Sequence, residues 1–421
     1  MTMTQQRADP DHPTHTSPII RAPWRDGLSA EATALLTLPP ANETLTDPAQ
    51  RDVDVVVIGA GVTGLSAAQA TAAAGLRTLL LEAATTLGAG ASGRNAGILS
   101  AGANAPLSDL APDSPVAALW PATTRLLLDL VAEAGKPGSV LTARQTGALN
   151  IATSQTAARR VASEARTRQA VGLRADVWSP QQVAAATGGR LNTQHVTAAL
   201  WLPDEGRINP LTLLAYLGQR ARAAGATLVG DARAEAPTAH ATPAGQPRWR
   251  IAIADDATAG KARMTIHARG LIDAVGPTTR PTARLYALAF LADLPDDFPL
   301  FWDAAPYVYY DYRGGDGRLV VSGGRYGQVG ATERDATYHA RMADAARRWL
   351  PELADHAPHY AWAVDLDTAA DRLPAVIPLA ERDGRPSDAP GLAVVGLGAQ
   401  GVLPGITLGQ QAGQQMAHML A

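Results

Sequence analysis

Three glycines and one glutamate carry the first chemistry legible in this chain. Gly59-x-Gly61-x-x-Gly64 follows the β-branched run Asp54-Val-Val-Val-Ile58 and opens an alanine-rich stretch. A short β-branched run of this kind forms a strand buried on both faces. Gly59 permits a tight turn, Gly61 lets the backbone approach a pyrophosphate, and Gly64 lets helix and strand pack closely. The phosphates then lie at the positive N-terminus of the helix. Gly75 ends that helix, residues 77–81 return as a second parallel strand, and Glu82 stands 18 residues after Gly64. A carboxylate there can accept both hydroxyls of a ribose. Strand, glycine turn, helix, strand and terminal acid in register make this a dinucleotide-binding unit.

The next segment, Gly88-Ala-Gly90-Ala91-Ser92-Gly93-Arg94-Asn95-Ala96-Gly97-Ile98, points to a flavin rather than a nicotinamide. It packs backbone N–H groups, a hydroxyl, a guanidinium and an amide into a few residues. Those groups suit a pyrophosphate, a ribityl chain and the edge of a flavin ring.

The elements that must position these residues follow from pattern. Helices are expected over residues 29–36, 120–134, 155–171, 180–186, 209–224, 337–350 and 406–420. Strands are expected over 147–152, 226–229, 271–276 and 392–396. Hairpins are expected over 248–267, around the loop 255–260, and over 307–321. Residues 1–20, rich in Pro, Thr and His, read as disordered, and 21–50 as a surface wrap.

The chain has 421 residues, 46 % hydrophobic and 18 % charged, enough for two domains and a substantial core. A net charge of −3 gives no basis for a nucleic-acid or anionic-membrane partner. With no cysteine, disulfides, thiolate metal sites and a Cys-linked flavin are excluded. Residues 1–18 lack a signal-peptide core and no stretch reaches the roughly 20 apolar residues of a membrane span, so a cytoplasmic location is expected.

On four motifs the chain resembles the D-amino-acid oxidase, glycine oxidase and sarcosine oxidase family of FAD enzymes, over about residues 50–420. They are the glycine turn with Glu82, the Ala91–Gly97 run, Ala226 to Ala234 with Ala274-Val-Gly276, and Gly396-Leu-Gly398-Ala-Gln400-Gly401. The second run is close to that of the γ-glutamylputrescine oxidoreductase branch. Trp362, Asp365, Asp367, Thr368, Arg372 and Pro374 fit another segment of that branch, and Tyr309-Tyr310, Gly317-Arg318 and Gly323-Gly324 fit its hairpin.

The resemblance implies an α/β fold: a Rossmann-like FAD-binding domain, with a parallel sheet, and an interleaved α+β substrate domain on an antiparallel sheet. It divides the chain into a tail (1–50), a discontinuous FAD-binding domain (51–104, 201–280, 361–421) and a substrate domain (105–200, 281–360). It assigns FAD contacts to Gly59, Gly61, Val62, Thr63, Gly64, Glu82 and Ala83, and to Gly90, Ala91, Ser92, Arg94, Asn95, Ala96 and Gly97. Ala234, Ala274, Gly276, Gly398, Gln400, Gly401 and Val402 complete that set. A helix N-terminus after Gly401 would stabilise negative charge on the flavin pyrimidine.

Flavin oxidation of an amine needs a positioned carbon and excluded water more than a triad. The histidines are dispersed and propose no acid–base pair. Phe301-Trp302-Asp303 and residues 307–313 are candidates for the flavin-facing wall, with Asp303, Tyr309, Arg313 and Gln400 nearest the substrate. Asp303 could pair with an ammonium, Arg94 or Arg313 could receive a carboxylate, and the aromatics could equally pack the sheet.

The chain departs from the family's pattern in three places. Leu403 stands where amino-acid-oxidising relatives carry a carboxylate-binding lysine. Residues 291–305 lack the oxygen-activating lysine, and the chain's two lysines, Lys136 and Lys261, lie in no flavin motif. Gln400 replaces a frequent histidine, and no His or Cys stands where relatives link flavin, so non-covalent FAD is expected. The expected reaction is oxidation of a primary or secondary amine to an imine that hydrolyses or cyclises, with O2 or another electron acceptor. An amino-acid oxidase with a relocated carboxylate clamp, an acceptor-dependent dehydrogenase and a non-catalytic flavin-binding subunit are the alternatives.

Overall fold

The computed structural model describes residues 18–421 apart from 112, 255–261, 276–282, 306–307, 367–372 and 385–386. Most of the expected tail, the 255–260 loop, Gly276, Asp367, Thr368 and Arg372 therefore lie outside the described residues.

Val-rich Asp52–Ile58 forms a strand with Val55, Val56 and Val57 fully buried. It pairs in parallel with Thr78–Leu81 on one side and Ala262–Asp273 on the other. Thr227–Val229 extends the sheet beyond Thr78–Leu81. Gly391–Val395 pairs in parallel with the end of Ala262–Asp273. The expected hairpin strand near 263–267 and the expected buried strand from 271 are one continuous strand. Its first half pairs antiparallel with Pro247–Ala254, and its second half joins the parallel core. The periodicity could not show this, because burial changes along one strand as its neighbours change.

A second sheet runs in the order Tyr360–Leu366, Ala283–Leu291, Arg318–Gly327, Val308–Arg313, Leu300–Ala305, Ala148–Ala152, Ala198–Leu202 and Asp176–Trp178. It is antiparallel except where Leu300–Ala305 meets Ala148–Ala152. Tyr360–Leu366 belongs here by pairing with Ala283–Leu291, so the boundary at 361 hands most of this strand to the wrong sheet. Ala198–Leu202 likewise straddles the boundary at 201. Both errors arise because pairing partners, not local sequence, decide which sheet a strand joins.

Two helices close the nucleotide half. Val62–Ala73 follows the glycine turn, and Val402–Leu420 packs along it. Gly405, Gly409 and Gly413 recur every four residues on the contacting face. A Cβ at Gly409 would collide with the Thr63 carbonyl, and one at Gly413 would stand 2.6 Å from Ala70 Cβ. The close approach of the two helices therefore requires these glycines. The final helix begins four residues earlier than its apolar pattern suggests, since Pro404 is accepted in a first turn. No helix among the described residues is long and apolar enough to cross a membrane.

Candidate active site

The two sheets face each other across a cavity of about 520 Å³. On its nucleotide side, Gly59 takes φ +96°, and a Cβ at Gly64 would collide with the Gly59 carbonyl. Gly61 caps the helix without a side-chain partner. The amides of Gly61, Thr63 and Gly64 have no backbone acceptor among the described residues, while Val62 N–H donates to Ser92 Oγ at 3.2 Å. Open first-turn amides form an anion cradle. Glu82 accepts from Ala60 N–H at 2.9 Å and Ala84 N–H at 3.0 Å, which fixes its carboxylate at the cavity edge.

The 88–98 loop is pinned from outside. Trp24 Nε1 donates to the Asn95 carbonyl at 2.9 Å and Trp362 Nε1 to the Arg94 carbonyl at 2.8 Å. Asn95 ties the loop internally through Ser92 O and Gly97 N–H. Gly90, Ala91, Ser92, Arg94, Asn95 and Ala96 line the cavity. Gly97 does not; its carbonyl accepts from Arg313 Nε at 3.3 Å. Ala83 and Ala234 also lie outside the lining, whereas Ala274 is part of it.

At the far end, Gly398, Gln400, Gly401 and Val402 enter the lining together with Leu403. Asn104, which sequence reasoning missed, clamps this turn. Its Nδ2 donates to Leu397 O at 3.0 Å, and its Oδ1 accepts from Gln400 N–H at 2.9 Å. The first turn of Val402–Leu420, capped by no side chain, opens onto the cavity beside it.

The opposite wall is a row of side chains set by register. Trp362 stands beside Ala287, Ala287 beside Ser322, Ser322 beside Asp311, and Asp311 beside Trp302. All five line the cavity. Period-two alternation turns Phe301, Asp303, Tyr310 and Tyr312 away from the cavity. Asp303 was expected on this wall and faces the other side. It accepts from Tyr310 N–H at 3.1 Å, Tyr312 Oη at 3.0 Å and Trp349 Nε1 at 2.6 Å. Phe301 stacks on Tyr312 on that side, with ring centroids 4.2 Å apart. Tyr309 is exposed and outside the lining.

Arg313 is buried: its Nη2 pairs with Asp316 at 2.7 Å and its guanidinium lies 5.0 Å over the Trp24 ring, while Nη1 finds no partner among the described residues. Burial pulls its guanidinium down to about 10. Of the residues named for contact with the substrate, Arg94 and Gln400 line the cavity, and of the expected wall Trp302 and Asp311 do. Asp311, within the 307–313 stretch expected on this wall but not named there for itself, is the acid the wall presents. Burial pushes its carboxyl up to about 7, with Asp303 across the sheet adding repulsion. The only hint in the sequence was a lone acid within an aromatic strand.

Among the described residues no lysine or histidine lines this cavity, and Leu403 is 1 % exposed. A larger hollow of about 990 Å³ lies alongside and shares Gly88, Arg94 and Trp362 with it. It is bounded by residues 18–25 and the helix Asp335–Trp349 and contains none of the glycine motifs except the start of the 88–98 loop.

Comparison with known proteins agrees with this geometry. The sequence pattern of the family described as DAO, FAD-dependent oxidoreductase, matches residues 54–415. Glycine oxidase from Geobacillus kaustophilus superposes with a TM-score of 0.66 at 19 % identity, covering 88 % of this chain and 95 % of its own. Iminodiacetate oxidase from Chelativorans sp. BNC1 gives 0.64 at 17 %, covering 85 % and 94 %. L-Proline dehydrogenase from P. horikoshii gives 0.64 at 15 %, covering 88 % and 94 %. At such identities the likeness is one of fold. No curated protein sequence matches significantly.

Proposed function

Because this chain belongs to the DAO family of FAD-dependent oxidoreductases, we propose that it oxidises the C–N bond of a primary or secondary amine. The observation that carries this reading is the cavity's asymmetry. Amide cradles and Glu82 form one wall, and the Trp302–Asp311–Ser322 row forms the other, with a slot between them.

The residues present suit FAD. The open amides at Gly61, Thr63 and Gly64 would hold the pyrophosphate, and Glu82 the adenosine ribose. Ser92, Arg94, Asn95 and Ala96 would take the linker and ring edge, and the first turn of Val402–Leu420 the pyrimidine end. Bound FAD would supply the two-electron acceptor for the amine C–H, and the imine left when nitrogen also gives up a proton would be hydrolysed or cyclise. Trp302, Trp362 and Leu403 keep bulk water from the reacting carbon.

A second reading rests on Arg94. Its side chain lines the cavity and bonds only a carbonyl, Gly90 O, at 3.4 Å. It is free to receive the carboxylate of an amino acid.

The test is reconstitution with FAD, then anaerobic reduction by matched amines and their α-carboxylated analogues, followed by reoxidation with O2 or an artificial acceptor. A flavin spectrum bleached by amines is expected. Protein that stays colourless with FAD, or flavin that no amine reduces, would overturn the proposal. Faster reduction by amino acids, lost in Arg94→Met, would move the assignment to the second reading. Gly61→Val should abolish FAD binding, because a side chain there meets Ser92 Oγ at 2.8 Å and fills the cradle.

A further inference from the structure

We propose that Asp311 is the carboxylate that receives the cationic nitrogen of the substrate, so that the enzyme selects its substrates by their ammonium group. The inference rests on the flavin–amine reading above and names the substrate class at that site.

Asp311 lies mid-row on the sheet wall, with Trp302 on one side and Ser322 on the other. Directly paired cross-strand residues have their Cβ atoms about 4.5–5.5 Å apart. A group held by Asp311 is therefore also within reach of the Trp302 ring and the Ser322 hydroxyl. No donor among the described residues bonds the Asp311 side chain, although the other acids around the cavity are all engaged. Glu82 holds two amides, and Asp365 pairs with Arg284 at 2.9 Å. Arg313, two residues along the same strand, is taken by Asp316 and Gly97 O.

An enclosed carboxylate without a counter-charge is unfavourable, and proteins retain one where a ligand supplies the charge. An alkylammonium fits on three counts. It donates to the carboxylate, its charge lies beside the Trp302 face, and its carbon chain finds the apolar walls of Ala287, Trp362 and Leu403. Its excess proton passes to the carboxylate, leaving a neutral carboxyl and a nitrogen lone pair, with no change in electron count. The raised affinity of Asp311 for a proton suits that transfer. Asp303, the better-hydrogen-bonded carboxylate of the same hairpin, is walled off on the far face and serves as the internal control.

The experiment titrates oxidised holoenzyme under anaerobic conditions with hexylamine, 1-hexanol and hexanoate. Dissociation constants come from perturbation of the flavin absorption band or, where reduction occurs, from saturation of its rate. In Asp311→Asn, hexylamine should bind about 10- to 100-fold more weakly, with hexanol unchanged and flavin content retained. Asp303→Asn should leave the hexylamine constant unchanged while lowering Tm, and Asp311→Glu should recover part of the affinity. The inference is overturned if Asp311→Asn binds hexylamine like the parent, or if it loses hexylamine and hexanol equally. It is also overturned if the parent binds hexylamine no more tightly than hexanol, a result that needs no variant to fold. Asp311-dependent ammonium binding without flavin reduction would sink the proposed reaction and keep this inference. Reduction by amines that is indifferent to Asp311 would do the reverse.

Discussion

At the scale of single residues, two charged side chains on one strand have opposite fates. Arg313 is balanced by Asp316, by a carbonyl and by the Trp24 ring. Arg313→Met should therefore act on stability before substrate binding, since it leaves the Gly97 carbonyl and the Trp24 face without their partner. A loss of about 3 kcal/mol or more in denaturant unfolding is expected. Asp311 has no counter-charge or donor among the described residues, and its folded-state pKa of about 7 lies above the unfolded value of 3.8. The folded apoprotein then binds more protons than the unfolded chain between those values, so stability falls as pH rises from about 4 to 7. The charged group that acts on Asp311 is Asp303 through the sheet, and Glu82, Arg94 and Asp365 are the other charged residues lining the same cavity. Asp311→Asn should remove this loss, raising apoprotein stability by about 1–3 kcal/mol at pH 8, discounted for contact with cavity solvent, and by little at pH 4. Thermal unfolding of both proteins at the two pH values checks it; a variant less stable at pH 8 would contradict the unpaired charge.

At the scale of elements, the cofactor cradle depends on how closely two helices approach. Gly405, Gly409 and Gly413 let Val402–Leu420 lie against Val62–Ala73, so both helix starts open onto one cavity. Gly409→Val would drive a branched side chain into the Thr63 carbonyl and part the helices. FAD affinity should fall by more than 100-fold, with several kcal/mol of stability lost, read by flavin titration and unfolding. Asn104→Ala is gentler. It unties the 397–400 turn without touching the helix contact, and should weaken flavin binding about tenfold with Tm little changed. The small-residue spacing was visible in the sequence, yet it reads as a signal only when the helix it faces is known.

At the scale of the whole molecule, the chain crosses between its sheets several times, and the cavity lies where they face each other. The short sheet of Ile98–Leu99, Ala143–Gln145 and Gly206–Ile208 ties three of the crossing segments together. Glu205, just before the last of these strands, is 2 % exposed and accepts from Ala101 N–H at 3.0 Å, which fixes the exit of the 88–98 loop. Acid treatment, which undoes such contacts, should release all the flavin into the supernatant, because the chain has no cysteine and no histidine among the described residues lines the cavity. Yellow colour remaining in the washed precipitate would show a covalent link.

The glycine turn, the closing Glu82, the 88–98 loop and the C-terminal glycine run were legible because their function is local. Each needs particular backbone freedom, or a particular small set of donors, within a few consecutive residues. The resemblance to the family, and with it the cofactor, rested on those segments together with residues 226–234 and 274–276. What the substrate meets could not be read the same way. Asp303 and Asp311 lie on neighbouring strands of one hairpin among similar aromatics, and of the two Asp303 was named for an ammonium. Only pairing register decides which of them faces the cavity, since a shift of one residue exchanges the two faces of a strand. That register is set by contacts between strands far apart in the chain, so the substrate wall is a property of the tertiary structure.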